Sequence, residues 1–434
     1  MKIAVIGTGY VGLVTAAGLA EFGHQVIGTD KIVDKIEKIS EGIAPIYEPG
    51  LDKLLKKNLG KGNLRFTPAL DTTIQSCDVI FVCVGTPQDE EGRADMSQIE
   101  EVSRRIAENL DSYKVVVEKS TVPVQTSMWI KRIISRYKKS EASFDMASNP
   151  EFLREGSAVA DFLSPDRIII GVETERAREL LVKIYEKFRD RLIITNIDTA
   201  ELIKHASNSF LAMKISYVNL IANICEKTDA DVDQVSAGMG LDPRIGSQFL
   251  RAGLGYGGSC FPKDIKALAK IGEDLGVDMS LLKEADRINA GRIRAFIDKI
   301  KRALWILKDK RIALLGLAFK PETDDIREAA SIRIIRELLR EGSTLRLYDP
   351  QAMNNMKELF GPDPDRLEYC PSAYEAVREA NALLLITEWE EFRRLDLKKV
   401  KGLMANPIIV DGRNIFKPEE VRELGFEYYS VGRK

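Results

Sequence analysis

Residues 2–30 constrain this chain more than any other stretch. Lys2-Ile-Ala-Val-Ile6 runs apolar, as a buried parallel strand does, and ends in Gly7-Thr-Gly9-Tyr-Val-Gly12. A small-residue helix follows (LVTAAGLAEFG), and then a second strand, HQVIGTD, ends at Asp30. A lone GxGxxG is a weak signal. Here it stands between strand and helix with an acid about 20 residues on, which is the full dinucleotide-binding βαβ pattern. Glycines at 7, 9 and 12 let the backbone turn, approach a pyrophosphate at the helix N-terminus and pack helix against strand. Asp30 suits a ribose 2′-hydroxyl and repels a 2′-phosphate, so NAD is expected over NADP, a preference that Lys31 alongside tempers slightly.

Further apolar strands are expected at 78–87 (DVIFVCVGTP), 114–123 (KVVVEKSTVP) and 166–172 (DRIIIGV). Ligands in an open α/β sheet lie beyond the carboxyl ends of the strands. Thr86, Thr121 and the Asn149-Pro150-Glu151 segment occupy such ends. Each threonine hydroxyl can serve a ligand or cap the next helix. Glu151 and Glu155 are spaced i, i+4, so a helix starting at Pro150 would stack them on one face, where the macrodipole also favours acids.

Residues 199–227 read as one long helix with a Thr199 cap, too apolar all round for a surface helix and suited to a buried spine or a subunit interface. Lys204 and Asn208, again i, i+4, put an ammonium and an amide on one face. A lysine among apolar neighbours is costly unless paired or used. His205 is expected to be structural.

Leu250 to Asp264 (LRAGLGYGGSCFPKD) crowds glycines at 253, 255, 257 and 258 ahead of a single thiol, Cys260. With a helix starting at Pro262, Lys263 and Asp264 lie near that thiol, and a cation and a helix N-terminus both favour the thiolate. A cysteine in a glycine-rich turn is by default a small buried side chain. The dinucleotide pattern upstream is what makes this one a candidate nucleophile: hydride loss from a thiohemiacetal gives a thioester that water then cleaves.

From Lys310 the chain restarts: RIALLGLAFK parallels KIAVIGTGY, and LRLYDP parallels VIGTD. ALLLITEW (382–389) and PIIVDGRN (407–414) continue a second doubly wound unit, with a helix from about Glu328 to Glu341. The glycine fingerprint is replaced by Lys320-Pro-Glu-Thr-Asp-Asp-Ile-Arg327. With Arg413, three cations gather at carboxyl ends where they can hold phosphates or form surface salt bridges. The whole is an α/β architecture of two Rossmann-like doubly wound domains joined by a long central helix and a helical dimerisation domain. The expected boundaries are 1–198, 199–300 and 301–434.

A length of 434 residues fits two or three domains. Lys+Arg 64 against Asp+Glu 66, with no single-sign block, argues against nucleic-acid binding and against a membrane-surface helix. The five cysteines (77, 83, 225, 260, 370) show no CxxC pairing and fit a reducing, cytoplasmic setting. With only His24 and His205 no His-rich metal site is expected, and no metal is implied.

The chain resembles the UDP-glucose/GDP-mannose dehydrogenase family over nearly its whole length. The likeness runs through GTGYVG (7–12), VGTP (84–87), STVP (120–123), NPEFLREGSAVADFLSPDRIIIG (149–171), AELIKHASNSFLAMKISYVNLIA (200–222), GYGGSCFPKD (255–264), GLAFKPETDDIRE (316–328) and DGRN (411–414). It implies an NAD-dependent four-electron oxidation of a nucleotide sugar by a homodimer or larger homo-oligomer. The wording FLREGSAVADF favours UDP-glucose over UDP-N-acetylmannosamine or GDP-mannose. Carried over by motif, Cys260 is the nucleophile, Lys204 assists deprotonation and stabilises an oxyanion, and Asn208 adds a hydrogen bond. Asp264, Thr121, Glu151 and Glu155 serve the hydrolytic water. The resemblance implies cofactor contacts from Gly7, Gly9, Tyr10, Val11, Gly12, Asp30, Lys35, Thr86, Thr121, Glu155, Lys263 and Arg327. Substrate contacts fall to Glu151, Phe152, Leu153, Lys204, Asn208, Phe249, Tyr256, Gly257, Cys260, Phe319, Lys320 and Arg413, with Arg244 reaching a partner subunit. A 3-hydroxyacid or 6-phosphogluconate type dehydrogenase also pairs Lys-x-x-x-Asn with a dinucleotide domain, but needs neither Cys260 nor a third domain. A non-enzymatic nucleotide-sugar sensor has no use for Lys204, Asn208, Cys260 and Asp264 together.

Overall fold

The computed structural model describes residues 1–87, 94–363 and 365–434. It separates into two compact units, Met1–Ser207 with Lys270–Val277, and Asn208–Ala269 with Asp278–Lys434.

The first unit is built on eight strands: β1 (Lys2–Ile6), β2 (Gln25–Thr29), β3 (Leu64–Thr67), β4 (Val79–Val82), β5 (Lys114–Glu118), β6 (Phe144–Ser148), β7 (Ile168–Val172) and β8 (Leu192–Thr195). Their order is β3-β2-β1-β4-β5-β6-β7-β8. All neighbours are parallel except β6 and β7. Side-chain alternation along β1 splits the core in two: Ile3 and Val5 pack with Leu13 and Phe81 on one face, Ala4 and Ile6 with Ile99 and Ile130 on the other. Every residue of β4 and β5 is buried, as strands covered on both faces must be. Strand order reverses between β1 and β4, and the crevice beyond their carboxyl ends is where an open α/β sheet takes its ligand.

The second unit carries a six-stranded parallel sheet: β9 (Arg311–Leu315), β10 (Thr344–Tyr348), β11 (Leu367–Tyr369), β12 (Ala382–Leu385), β13 (Ile408–Asp411) and β14 (Glu427–Tyr429). Its order, β11-β10-β9-β12-β13-β14, repeats the first sheet's central pattern. Leu314, Leu315, Ile334, Leu338, Leu384 and Phe392 form the middle of its core. Helices Val232–Gly240 and Ser280–Leu304 precede the sheet in this unit. Two doubly wound Rossmann-like sheets are therefore present, as the sequence predicts.

Three local expectations are corrected. The long helix runs Ile197–Cys225. Its cap is Asn196, whose Oδ1 accepts from Thr199 N at 2.8 Å, so Thr199 lies inside the first turn. No helix begins at Pro150. The Glu151 carboxylate instead accepts from Leu153 N at 2.6 Å, and the next helix starts at Ala158. That competing side-chain turn withholds the i, i+4 stacking of Glu151 and Glu155. The helix after the thiol starts at Phe261, one residue early, with Asp264 N donating to Cys260 O at 2.8 Å. Among the described residues no helix is long and apolar enough to cross a membrane.

Candidate active site

In the first unit the glycine turn has the geometry that a dinucleotide needs. Gly7 sits at φ +92°, and a Cβ there would lie 2.7 Å from Cys83 O; one at Gly12 would lie 1.9 Å from Gly7 O. A Cβ at Gly9 would meet nothing within 4 Å. The helix Tyr10–Glu21 that follows has no side-chain cap at Gly9, so its first N–H groups and its positive end face open space. Asp30, at the end of β2, accepts from Thr8 N at 3.0 Å, Thr8 Oγ1 at 2.8 Å and Lys35 Nζ at 2.8 Å. Burial raises its carboxyl, but these donors outweigh burial and bring it down to about 2. Asp30 is thus a fixed anion beside an open helix N-terminus, and the cradle fits a dinucleotide with a free 2′-hydroxyl.

Tyr10 turns from that cradle to Glu48, its hydroxyl donating at 2.5 Å. Burial first and then Glu48 raise its phenol. Glu48 also accepts from Gly156 N at 2.7 Å, so the pair pins the 151–157 segment. Sequence reasoning did not single out Glu48. Val11 follows Tyr10 in the helix's first turn, and Glu155 opens the turn 155–157.

The ends of β4, β5 and β6 bring their predicted residues together. Thr86 Oγ1 donates to Thr121 O at 2.9 Å. From the long helix, Glu201 accepts from Gln125 N at 2.6 Å and from Ser127 N at 3.0 Å, and His205 Nε2 meets Val122 O at 2.6 Å. His205 is thus a structural anchor for the segment behind Thr121. Lys204, between them in sequence, donates to Glu151 Oε1 at 2.9 Å, with both side chains buried. The Phe152 ring lies 5.4 Å from the Lys204 ammonium and 4.1 Å from the Arg167 guanidinium.

The second unit holds the thiol. Cys260 is half-buried and heads the helix Phe261–Asp274, with Ser259 Oγ 3.6 Å from its sulfur. One turn on, the buried Asp264 carboxylate accepts from Asn208 Nδ2 at 2.6 Å and pairs with Lys263 at 2.8 Å. The glycine-rich loop is held from several sides. Asn289 accepts from Tyr256 N at 2.8 Å and donates to Tyr256 O at 3.0 Å. The Arg292 Nε donates to Gly253 O at 3.1 Å, and Gly258 N donates to Arg327 O at 2.9 Å. A Cβ at Gly257 would lie 2.4 Å from Glu328 O, and one at Gly258 2.7 Å from the Phe319 ring. Asn289 and Arg292 were missed in sequence because a polar residue on an amphipathic helix reads as solvated.

Arg413 binds this loop to the second sheet, donating to Gly255 O at 3.2 Å, Phe319 O at 3.2 Å and Ile386 O at 2.8 Å. It follows Asp411, fully buried, which accepts from Tyr428 OH at 2.7 Å and Ile415 N at 2.6 Å. Tyr256, Gly257, Asn289, Phe319, Arg333 and Arg413 line a cavity of about 150 Å³. Lys320 stands 5.5 Å from the Phe319 ring, and the exposed Arg327 grips Asp325. Phe249, at φ +64°, packs its ring 6.0 Å from Phe261. Arg244 has an 87% exposed side chain and pairs with its neighbour Asp242 at 2.6 Å.

Comparison with known proteins covers the chain end to end. It matches the UDP-glucose/GDP-mannose dehydrogenase family in three successive parts: the NAD binding domain over residues 1–189, the central domain over 198–291 and the UDP binding domain over 313–418. A Bacillus subtilis UDP-glucose 6-dehydrogenase, YwqF, is 45% identical over 434 residues, covering 100% of this chain and 98% of the relative. A Rhizobium meliloti UDP-glucose 6-dehydrogenase is 46% identical over 440 residues and full coverage of both. Among solved structures, a UDP-glucose dehydrogenase from Pyrobaculum islandicum superposes with a TM-score of 0.93 at 35% identity, covering 100% of this chain and 98% of the other.

Proposed function

This chain belongs to the UDP-glucose/GDP-mannose dehydrogenase family, and from that premise we propose that it oxidises UDP-glucose at C6 to UDP-glucuronate, using two NAD per turnover. NAD, held by the Gly7–Gly12 turn and Asp30, supplies the hydride acceptor for each oxidation. The observation that carries the reading is Cys260 at a helix head, one turn from a buried Asp264 held by Asn208 and Lys263.

Lys204 takes the C6 hydroxyl proton as the C–H bond breaks, and its ammonium then stabilises oxygen anions. The Cys260 thiolate adds to the aldehyde carbon and forms a C–S bond, which holds the intermediate on the enzyme. Loss of the second hydride leaves a thioester. Asp264, with Thr121 and Glu151, orients the water that replaces sulfur, and the thiolate departs. Phe319 and Lys320 hold the nucleotide diphosphate end, and Arg413 contacts the sugar or its nearby groups. In the same reading Glu155, Lys263 and Arg327 face the cofactor.

Three domains at 1–198, 199–300 and 301–434 and a homodimer complete the reading. Support for the dimer comes from the long helix, where Phe210, Tyr217 and Ile224 leave more than half of their surface exposed. Arg244 then serves the partner's substrate. The five scattered cysteines, without CxxC spacing, fit a reducing cytoplasm.

The test is NADH yield. UDP-glucose should give two NADH per molecule and UDP-N-acetylmannosamine and GDP-mannose little. Cys260→Ser should bind UDP-glucose but lose net turnover by about a thousandfold. Near-native yield from that variant removes the covalent route, and preference for another sugar nucleotide removes the substrate assignment.

A further inference from the structure

Lys119 has no part in the mechanism above, yet it is 4% exposed and lies between two strand ends that do. It directly precedes Ser120-Thr121 after β5. Its ammonium donates to Asn149 O and to Asn149 Oδ1, both at 3.1 Å, and Asn149 leads into Pro150-Glu151 after β6. Asn149 is itself fixed: its N donates to Glu118 O at 2.9 Å, its Nδ2 to Ile169 O at 2.8 Å, and its Oδ1 accepts from Tyr185 OH at 2.6 Å. One side chain thus ties the Thr121 segment to the Glu151 segment. Among the described residues no carboxylate lies in ion-pair range of Lys119.

A buried ammonium on neutral acceptors needs a reason, since burial disfavours its charge. Burial first, and Lys204 last, lower Lys119, while Cys83 and Glu151 raise it, leaving it at about 8. The other ionisable neighbours are held toward their neutral forms by burial: the Cys83 thiol at about 12, the Tyr185 phenol, and the Glu118 carboxyl, well above its ordinary value. Glu151 accepts from Lys204, and Lys119 grips the Asn149 that leads into Glu151, so a second lysine stands behind that pair.

We propose that Lys119 is a positioning residue for the alcohol-oxidising step: it holds the Glu151 segment that receives Lys204, and its positive charge favours proton loss from the Lys204–hydroxyl pair. In that step the C6 O–H proton passes to Lys204, the C6 C–H pair leaves as hydride to NAD, and the aldehyde forms. A second cation nearby makes the proton-bearing state of the pair costlier and the oxygen anion cheaper. The proposal rests on Lys204 acting as read above.

The experiment follows the pH dependence of kcat for UDP-glucose and, separately, for the corresponding 6-aldehyde, which has no hydroxyl proton to lose in its first oxidation. Lys119→Met should move the rising limb for UDP-glucose up by about one pH unit, leave the aldehyde profile in place and change KM little. Lys119→Arg should restore the native limb. Should Lys119→Met fold poorly, Asn149→Asp keeps the lysine but sets a carboxylate against its ammonium, and should shift the limb the same way. A native limb in Lys119→Met or in a folded Asn149→Asp, or an equal shift with both substrates, overturns the proposal. Lys204→Met separates the two readings: if it keeps alcohol oxidation, the assignment of Lys204 fails. If it loses alcohol oxidation while Lys119→Met behaves as native, only the present inference fails.

Discussion

The two sheets start alike and part at their first turn. In the first, Gly7 N donates to Thr29 O at 2.8 Å and Cys83 N to Ile6 O; in the second, Gly316 N donates to Tyr348 O at 2.9 Å and Ile386 N to Leu315 O. Both glycines have positive φ, +92° and +99°. An aspartate ends the second strand of each motif and accepts from the residue after that glycine, Thr8 N to Asp30 at 3.0 Å and Leu317 N to Asp349 at 2.7 Å. Then they diverge. After Gly7 the helix starts at Tyr10 with its N-terminus open. After Gly316 the buried Leu317 and Ala318 fill the turn, and the helix waits until Ala330. Asp349 is 1% exposed and accepts further bonds from Ala318 N, Gln351 N, Ala352 N and Trp389 Nε1. The same strand–turn–aspartate frame thus leaves an uncapped helix N-terminus in one copy and is filled by its own backbone in the other. The frame belongs to the fold, and the site is set by what occupies the turn.

Paired substitutions test that division. The largest difference is expected between Gly316→Ala and Gly9→Ala. A Cβ at Gly316 would lie 2.4 Å from Thr387 N on a strained backbone, so about 4 kcal/mol of stability should be lost. A Cβ at Gly9 faces open space at φ −66°, so melting should move little while NAD affinity falls about tenfold or more. Equal melting losses in the two variants would mean that the first turn is as built over as the second.

Next come the aspartates. Asp349→Ala strands several buried N–H groups and should cost about 3 kcal/mol without touching NAD affinity in the protein that still folds. Asp30→Ala should instead raise KM for NAD about tenfold and narrow the preference over NADP. Steady-state kinetics and thermal unfolding of both variants separate the roles, and a native enzyme faster with NADP refutes the role of Asp30.

Much of this difference was legible in sequence because glycine roles are local. GTGYVG announces an open turn, the second motif shows only that its glycines are gone and cations stand in their place, and LRLYDP sets Asp349 where VIGTD sets Asp30. The thiol was legible for the same reason, one residue ahead of its helix. What sequence missed is tertiary. Five strands went unrecognised: β3, β8, β11 and β14 are the four sheet edges, only three or four residues long and half-exposed, and β6, inside the first sheet, reads Phe-Asp-Met-Ala-Ser, where an acid breaks the apolar run. Glu151 reads as a helix-start acid after Pro150, and only Lys204, 53 residues on, explains its turn. Lys119 lies in an apolar run that ends in a polar cluster, where a lysine passes for a solvated strand end. Its burial depends on Asn149, which pattern reading cannot bring near.

The smallest expected effect distinguishes a poised anion from a buried strut through acid titration. Asp30 has a folded carboxyl at about 2, below its ordinary value, so it contributes stability above its unfolded value, and that contribution disappears as pH falls through the folded one. Comparing the native protein with Asp30→Asn, the gap in unfolding free energy should be about 2 kcal/mol at neutral pH and close between about pH 4 and 2. Burial works against this shift, and the Lys35 ammonium at 2.8 Å with the two Thr8 donors produces it. Lys35→Met should therefore shrink the gap by weakening the anion. A gap that persists below pH 2, or one indifferent to Lys35, would assign Asp30 to the backbone as Asp349 is. The two motifs would then differ only in how fully the turn is filled.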